Sequence, residues 1–89
     1  MQYMIIEKFF AGKVKTLYER FEAKGRILPA GVEYINSWIS ADVKVCYQLM
    51  EAESEDKLHE WIANWSDVAS FEIVAVINSA QAKEKVFEK

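Results

Sequence analysis

The stretch of residues 44–51, Lys-Val-Cys-Tyr-Gln-Leu-Met-Glu, constrains the fold of this chain more than any other. Successive side chains of a β-strand point to opposite faces, and here both faces are mainly apolar. One face would carry Val45, Tyr47 and Leu49, and the other Cys46, Gln48 and Met50. A sheet built on this strand needs cover on both sides, so we expect helices on one side and a second copy of the chain on the other.

Composition limits the class of protein. The 89 residues suffice for one domain, residues 1–89, and 52% are hydrophobic and 28% charged, which excludes disorder and argues against a membrane protein. The net charge of -3 arises from scattered acidic and basic residues without a basic stripe, so we expect no nucleic-acid partner. The single cysteine, Cys46, excludes an internal disulfide. With no signal for secretion at the N-terminus, a cytoplasmic location is predicted.

The first part of the chain reads as a strand followed by a helix. Residues 2–9 are β-branched and aromatic, which favours a strand, and a glycine-containing break follows. An apolar stripe at helical spacing then predicts the first helix: Val14, Leu17, Tyr18 and Phe21. Gly25 is placed to end this helix, because glycine adopts the left-handed conformation without a steric penalty.

The centre of the chain predicts an antiparallel hairpin. Residues 32–39 and 44–52 read as strands joined by a short polar link, residues 40–42. A three-residue loop would place Asn36 and Trp38 on the face of Cys46 and Gln48. A four-residue loop would reverse this relation, because a slip of one residue exchanges the faces.

The last part predicts a helix, a strand and a short helix. Ser54 is the expected N-cap of the second helix, whose apolar stripe repeats the spacing of the first: Leu58, Trp61, Ile62 and Trp65. Residues 71–77 return to strand. A final helix is predicted over residues 80–89, capped by Ser79.

The order of these elements predicts an α+β, ferredoxin-like fold, β-α-β-β-α-β, with a short C-terminal helix added. Two crossovers place both helices on one face of a four-stranded antiparallel sheet. The other face stays bare and apolar. We therefore predict a homodimer that pairs through the helix-free sheet face, a dimeric α/β barrel.

Several segments together resemble a known family. They are Gly25-Arg26-Ile27-Leu28-Pro29, Ser37-Trp38, residues 46–51, Trp61, Trp65-Ser66-Asp67 and Phe71-Glu72. The combination, from Tyr3 to Ser79, is similar to a family of small uncharacterised bacterial proteins classed as a domain of unknown function. That family is placed in the dimeric α/β-barrel superfamily, which holds cofactor-free monooxygenases, lactone isomerases, haem-degrading or haem-using enzymes, and members without a known reaction. The resemblance implies the fold and the dimer, and it carries over no catalytic residues.

Metal binding and nucleophilic catalysis have weak support in the residues. His59, the only histidine, lies outside the apolar stripe of its helix and is expected at the surface, with Glu55 as a possible partner. Cys46 and His59 lie on separate elements without paired ligand spacing, so no metal site is predicted. Cys46 would need a nearby base to act as a nucleophile, and a packing role is expected.

The amides of Gln48 and Asn36 sit in apolar central strands, where each needs a hydrogen-bond partner. Either they bond one another, or they line a cavity and orient a ligand. Arg26 lies in the loop before Pro29, where its guanidinium binds an anion or pairs with a surface acid. The predicted pocket set is Tyr34, Asn36, Trp38, Cys46, Gln48, Met50, Trp61, Trp65 and Arg26.

Two functional hypotheses follow. The first is a small-molecule-binding protein or a small enzyme of the cofactor-independent monooxygenase or isomerase type, with no cofactor. The second is a non-enzymatic dimeric module without a ligand, in which the same residues only pack. An open pocket of about 300 Å³ with the amides pointing into it would favour the first, and a closed interior would favour the second.

Overall fold

The computed structural model describes residues 1–88. Within these residues the elements are β1 (Gln2–Phe9), α1 (Val14–Lys24), β2 (Val32–Ile39), β3 (Val45–Ala52), α2 (Glu55–Ile62), β4 (Ala69–Val76) and α3 (Ser79–Val86). The four strands form one antiparallel sheet in the order β2-β3-β1-β4. This arrangement confirms the α+β, ferredoxin-like fold with a C-terminal helix.

The helix ends follow the sequence in part. Gly25 ends α1 at a φ of 66°, and its N–H donates to the carbonyl of Phe21, as expected. Ser54 takes the N-cap position of α2 in an extended conformation, but its side chain makes no capping hydrogen bond. The N-cap of α3 is Asn78 rather than Ser79, and it forms a reciprocal capping box with Gln81. The predicted end of that helix, Lys89, lies outside the described residues.

Two of the predicted bounds shift. The apolar stripe predicts a second helix that reaches Trp65, yet α2 ends at Ile62. The chain then turns, and the N–H of Trp65 donates to the carbonyl of Ile62 at 2.8 Å. The fourth strand begins at Ala69, two residues before the predicted start, and ends at Val76.

Two local features fix the register of the β2–β3 hairpin. The N–H of Ser40 donates to the carbonyl of Val45 at 2.8 Å, which leaves a four-residue loop, residues 41–44. A β-bulge also interrupts β2 between Tyr34 and Asn36. Because the bulge adds one residue, Tyr34 and Asn36 lie on opposite faces of the sheet, although simple alternation would place them on the same face.

The hydrophobic core lies between one face of the sheet and the helices α1 and α2. Ile5 of β1, Met50 of β3 and Leu58 of α2 are completely buried. Trp61 of α2 is 2% exposed, and its ring forms a T-shaped pair with that of Phe71 at a centroid distance of 5.7 Å. Burial of such side chains contributes roughly 1.5–3 kcal/mol each, so this layer holds the helices on the sheet.

The other face of the sheet carries no helix formed by residues 1–88, and we call it the open face. Its central rows are mainly apolar and are formed by Asn36, Leu49, Met4 and Val74 and by Trp38, Tyr47, Ile6 and Glu72. The end rows are mostly polar and comprise Glu33, Glu51, Gln2 and Val76 at one end and Val45, Lys8 and Ser70 at the other. Trp38 is 51% exposed there, the largest fraction for any aromatic side chain of the sheet.

The shape of the chain reflects a sheet with helices on one side. Its extents are 49 × 30 × 17 Å, and the short dimension equals one sheet plus one layer of helices. The radius of gyration is 14.6 Å. A compact domain of this length would have a value of about 12 Å. Among residues 1–88, no helix has the length and apolar character needed to span a bilayer.

Candidate functional site

A cleft of about 170 Å³ opens between α1, α2 and the helix-covered face of the sheet. Its walls are mainly apolar and aromatic, and a few polar groups converge on them. The lining residues are Glu7, Phe9, Leu17, Tyr18, Phe21, Arg26, Ser37, Ile39, Cys46, Gln48, Trp61 and Trp65. An apolar cavity with a small number of placed polar groups is the usual form of a small-molecule site.

Two tryptophans fix the backbone of Arg26 at this cleft. The indole N–H groups of Trp61 and Trp65 both donate to the carbonyl oxygen of Arg26, at 2.9 and 3.0 Å. The next residue, Ile27, has a φ of 59°, a left-handed conformation that is strained for a β-branched side chain. The paired hydrogen bonds, together with the packing of Ile27 against the core, hold the loop in this conformation.

Trp65 is itself held in place by an ion pair. Arg20 of α1 binds Asp67 through two parallel hydrogen bonds of 2.8 and 2.7 Å, and it also donates to the carbonyl of Asn64 at 2.8 Å. Its guanidinium carbon lies 5.5 Å from the centroid of the Trp65 ring. The contact with Arg20 lowers the pKa of Asp67 to about 2. This clamp joins α1 to the turn that follows α2.

The Arg26 side chain lies between two aromatic rings. Its guanidinium carbon is 3.5 Å from the centroid of Tyr34 and 5.0 Å from that of Phe21. Its Nε donates to Oε1 of Gln48 at 3.3 Å. Within residues 1–88, the two terminal amino groups form no hydrogen bond, so a planar pair of donors remains available. Behind the ring, the Tyr34 hydroxyl bonds Oγ of Ser37 at 2.6 Å.

Glu7 is a carboxyl group buried in the central strand β1, and only 5% of it is exposed. Nε2 of Gln48 donates to its Oε1 at 3.5 Å, a long hydrogen bond. Burial raises the pKa of Glu7 to about 7, and the positive charge of Arg26 opposes part of the increase. Gln48 thus bridges Glu7 and Arg26, and we call these three residues the polar triad.

Cys46 and Tyr18, the other two groups of the cleft that could carry a negative charge, are uncharged near neutral pH. Cys46 lies directly opposite Glu7 in the β1–β3 register. Burial, together with the charge of Glu7, raises the pKa of its thiol to about 12. The pKa of Tyr18 is raised by burial, with smaller contributions from Cys46 and Glu7. The thiol is therefore a poor nucleophile here, while a carboxyl group that titrates near pH 7 can donate or accept a proton.

The structure brings together only part of the predicted pocket set. Five members line the cleft: Arg26, Cys46, Gln48, Trp61 and Trp65. Tyr34 supports the Arg26 guanidinium from behind, and Met50 is completely buried in the core.

Asn36 and Trp38 lie on the open face, away from the cleft. Asn36 pairs with Leu49 and Trp38 with Tyr47. Asn36 and Gln48 therefore do not bond one another; Oδ1 of Asn36 accepts from the N–H of Ser37 at 2.8 Å. The four-residue loop puts these two residues on the open face, and the bulge that precedes Asn36 returns Tyr34 to the helix-covered face.

Glu7 was absent from the predicted pocket set, although the sequence carries a signal for it. Tyr3, Ile5 and Phe9 share its face by simple alternation, so a carboxyl group stands in an otherwise apolar row of a strand. A buried charge is rare unless it is paired or functional. The predicted pocket set also lacks Ser37, because that set contains Asn36 and Trp38, which share the face of Gln48 only with a three-residue hairpin loop; the four-residue loop places Ser37 opposite Gln48 instead.

His59 is exposed on α2, as expected. No group of three or more histidine, cysteine, aspartate or glutamate side chains is close enough to hold a metal ion in the part of the chain that the structure describes.

The chain belongs to a family described as a domain of unknown function, DUF3303, whose model matches residues 1–89. Comparison with curated proteins and with solved structures gives no match.

Proposed function

We propose that this member of the DUF3303 family is a homodimeric protein that binds a small molecule in the cleft of each subunit, without a cofactor. The polar triad would orient the ligand, and the aromatic walls would exclude water from it. The proposal covers a binding protein and also a small cofactor-independent enzyme. Of the two enzyme types expected from the resemblance, Glu7 favours an isomerase, since proton transfer needs a group that titrates near neutral pH.

The burial of Glu7 is the observation that carries this proposal. At neutral pH an ionisable group in an apolar layer lowers the stability of the fold, and an apolar side chain in its place would pack without that penalty. Carboxyl groups with a strongly raised pKa concentrate at functional sites. A purely structural module gains nothing from Glu7, so its presence at the cleft favours a ligand.

The cleft limits the size of the ligand. A volume of about 170 Å³ is below the usual range for drug-sized ligands, about 300–1,000 Å³. It is close to that of an engineered protein cavity of about 150 Å³ that takes up benzene. We infer a ligand of roughly one ring.

The open face supports a second copy of the chain as the partner. Four strands of eight residues form a surface of roughly 500 Å² per subunit, from a spacing of about 4.8 Å between strands and a rise of about 3.3 Å per residue. Two such faces would bury roughly 1,000 Å², which is about the smallest area of a biological interface. An apolar centre with a polar rim is also the usual anatomy of an interface.

Native mass spectrometry of protein purified from its own host tests both parts of the proposal. We expect a dimer mass with an additional small mass for each subunit. Gln48→Leu, in the cleft, should lose the additional mass, and Asn36→Leu provides the matched control, because it replaces an equivalent amide on the other face of the same sheet. A dimer that carries no additional mass would favour the ligand-free module.

The interface has its own pair of variants. Leu49→Glu places a charge in the apolar centre of the open face and should give monomers in sedimentation equilibrium at micromolar concentration. Val86→Glu, on α3 and 76% exposed, is the control and should remain dimeric. A wild-type chain that sediments as a monomer under these conditions would refute the dimer.

A further inference from the structure

We infer that the cleft takes a small aromatic monocarboxylate, whose carboxylate binds the terminal amino groups of Arg26 while Glu7 is protonated. This inference rests on the proposed small-molecule function and specifies the ligand class for the same cleft. It also assigns separate roles to the members of the polar triad. Arg26 holds the anion, Gln48 fixes the orientation of Arg26, and Glu7 holds the proton.

The geometry of Arg26 selects the carboxylate. Stacking on Tyr34 and the bond from Nε to Gln48 fix the plane of the guanidinium before any ligand arrives. The two free amino groups then offer parallel donors, which match the two oxygens of a carboxylate. Because these two contacts already restrict the side chain, little side-chain entropy remains to be lost on binding.

Charge balance selects a single negative charge. The groups that face the cleft from the surrounding elements are Glu7 of β1, Tyr18 of α1, Cys46 of β3 and Arg26 of the loop after α1. Tyr18 and Cys46 are neutral at physiological pH, because burial raises the pKa of each. With Glu7 protonated, the cleft carries one positive charge, that of Arg26. An ionised Glu7 would cancel this charge and repel the ligand.

The walls select an aromatic ring. Trp61, Trp65 and Phe21 line the cleft on the helix side, and planar rings stack or meet edge-on with such side chains. One ring with a carboxylate matches the volume of about 170 Å³. Benzoate is therefore the probe of choice, and benzamide is its neutral counterpart of the same shape.

The experiment is a titration of the wild-type protein followed by the three indole N–H signals in nuclear magnetic resonance. We expect benzoate to shift the signals of Trp61 and Trp65, whose N–H groups bond Arg26, and to leave Trp38 on the open face unchanged. Benzamide and inorganic phosphate should each bind at least tenfold more weakly than benzoate. Benzamide has no negative charge to pair with Arg26, and phosphate carries more negative charge than the site beside Glu7 accepts.

The pH dependence tests the coupling to Glu7. The dissociation constant for benzoate should rise at least tenfold between pH 6 and pH 8.5, because binding takes up a proton on a group whose pKa is about 7. Glu7→Gln should bind benzoate with an affinity that does not change over this range. Glu22→Gln, on the exposed side of α1, is the matched control and should keep the wild-type pH dependence.

Arg26→Met should lower the affinity for benzoate at least tenfold. Lys24→Met, which removes a nearby exposed charge, should leave that affinity unchanged. Tighter binding of benzamide than of benzoate would overturn the carboxylate inference and leave the proposed small-molecule function intact. Binding that shifts only Trp38, or a pH dependence that persists in Glu7→Gln, would likewise overturn the inference. If neither probe shifts Trp61 or Trp65 and native protein retains no mass, the proposed function fails as well.

Discussion

Replacement of Glu7 by glutamine should stabilise the protein above neutral pH and have little effect in acid. Glutamine keeps the size of the side chain and an acceptor for Nε2 of Gln48, but it cannot ionise. The substitution therefore isolates the free energy that the fold loses by burying an ionisable carboxyl group.

The magnitude follows from the pKa in each state. The pKa of Glu7 is raised from 4.5 to about 7 by burial in the folded protein. Between these values the unfolded chain has released the proton and the folded chain has kept it, so the free energy of unfolding of the wild type falls as pH rises. In this window the free energy of unfolding of the wild type falls by about 1.4 kcal/mol for each pH unit. Once the pH exceeds 7, it has fallen by about 3 kcal/mol in total.

The assay is urea denaturation followed by tryptophan fluorescence, at fixed protein concentration and ionic strength, from pH 4.5 to pH 8.5. The free energy of unfolding of Glu7→Gln minus that of the wild type should rise through this range and level off above pH 7. Glu22→Gln, the exposed control, should differ from the wild type by less than about 0.5 kcal/mol throughout. In Arg26→Met the free energy of unfolding should fall further between pH 4.5 and pH 8.5 than in the wild type, because Arg26 lowers the pKa of Glu7.

If the difference in free energy of unfolding between Glu7→Gln and the wild type does not change with pH, the reasoning is refuted. A wild type that gains stability relative to Glu7→Gln between pH 5 and pH 7.5 would also refute it. Either result would mean that water or a partner solvates the carboxyl group, which would also remove the observation that carries the proposed function.

Three further predictions concern other parts of the fold. Val43→Gly in the hairpin loop should raise the free energy of unfolding by about 0.5–1 kcal/mol in urea denaturation, because Val43 has a φ of 58° and glycine relieves that strain at a smaller entropic loss. Below about pH 4 the wild type should lose stability relative to Asp67→Asn, since the pKa of Asp67 is lowered to about 2 and protonation breaks its pair with Arg20; thermal melts from pH 2 to pH 6 would check this. Cys46 should react with iodoacetamide at pH 8 at least a hundredfold more slowly in the folded protein than in urea, because the thiol is buried with a pKa of about 12, and mass spectrometry of the alkylated protein measures the ratio.

The sequence predicted the elements well and the two faces of β2 poorly. Apolar periodicity placed the first three strands within one residue of their observed bounds, and Gly25 ended α1 as expected. Alternation alone put Tyr34, Asn36 and Trp38 on one face. The four-residue loop puts the last two on the open face and the bulge returns Tyr34 to the side of Arg26, so the predicted pocket contained residues from both sides of the sheet.

What the sequence by itself determined is the order of strands and helices, the α+β class and the apolar character of both faces of β3, because these depend on local spacing. Only the tertiary structure decided which side chains meet. The four-residue loop and the bulge set the register of β2 on β3, and register assigns every side chain to a face. The polar triad joins residues from β1, β3 and the loop after α1, and the pKa of Glu7 depends on the burial that this assembly creates.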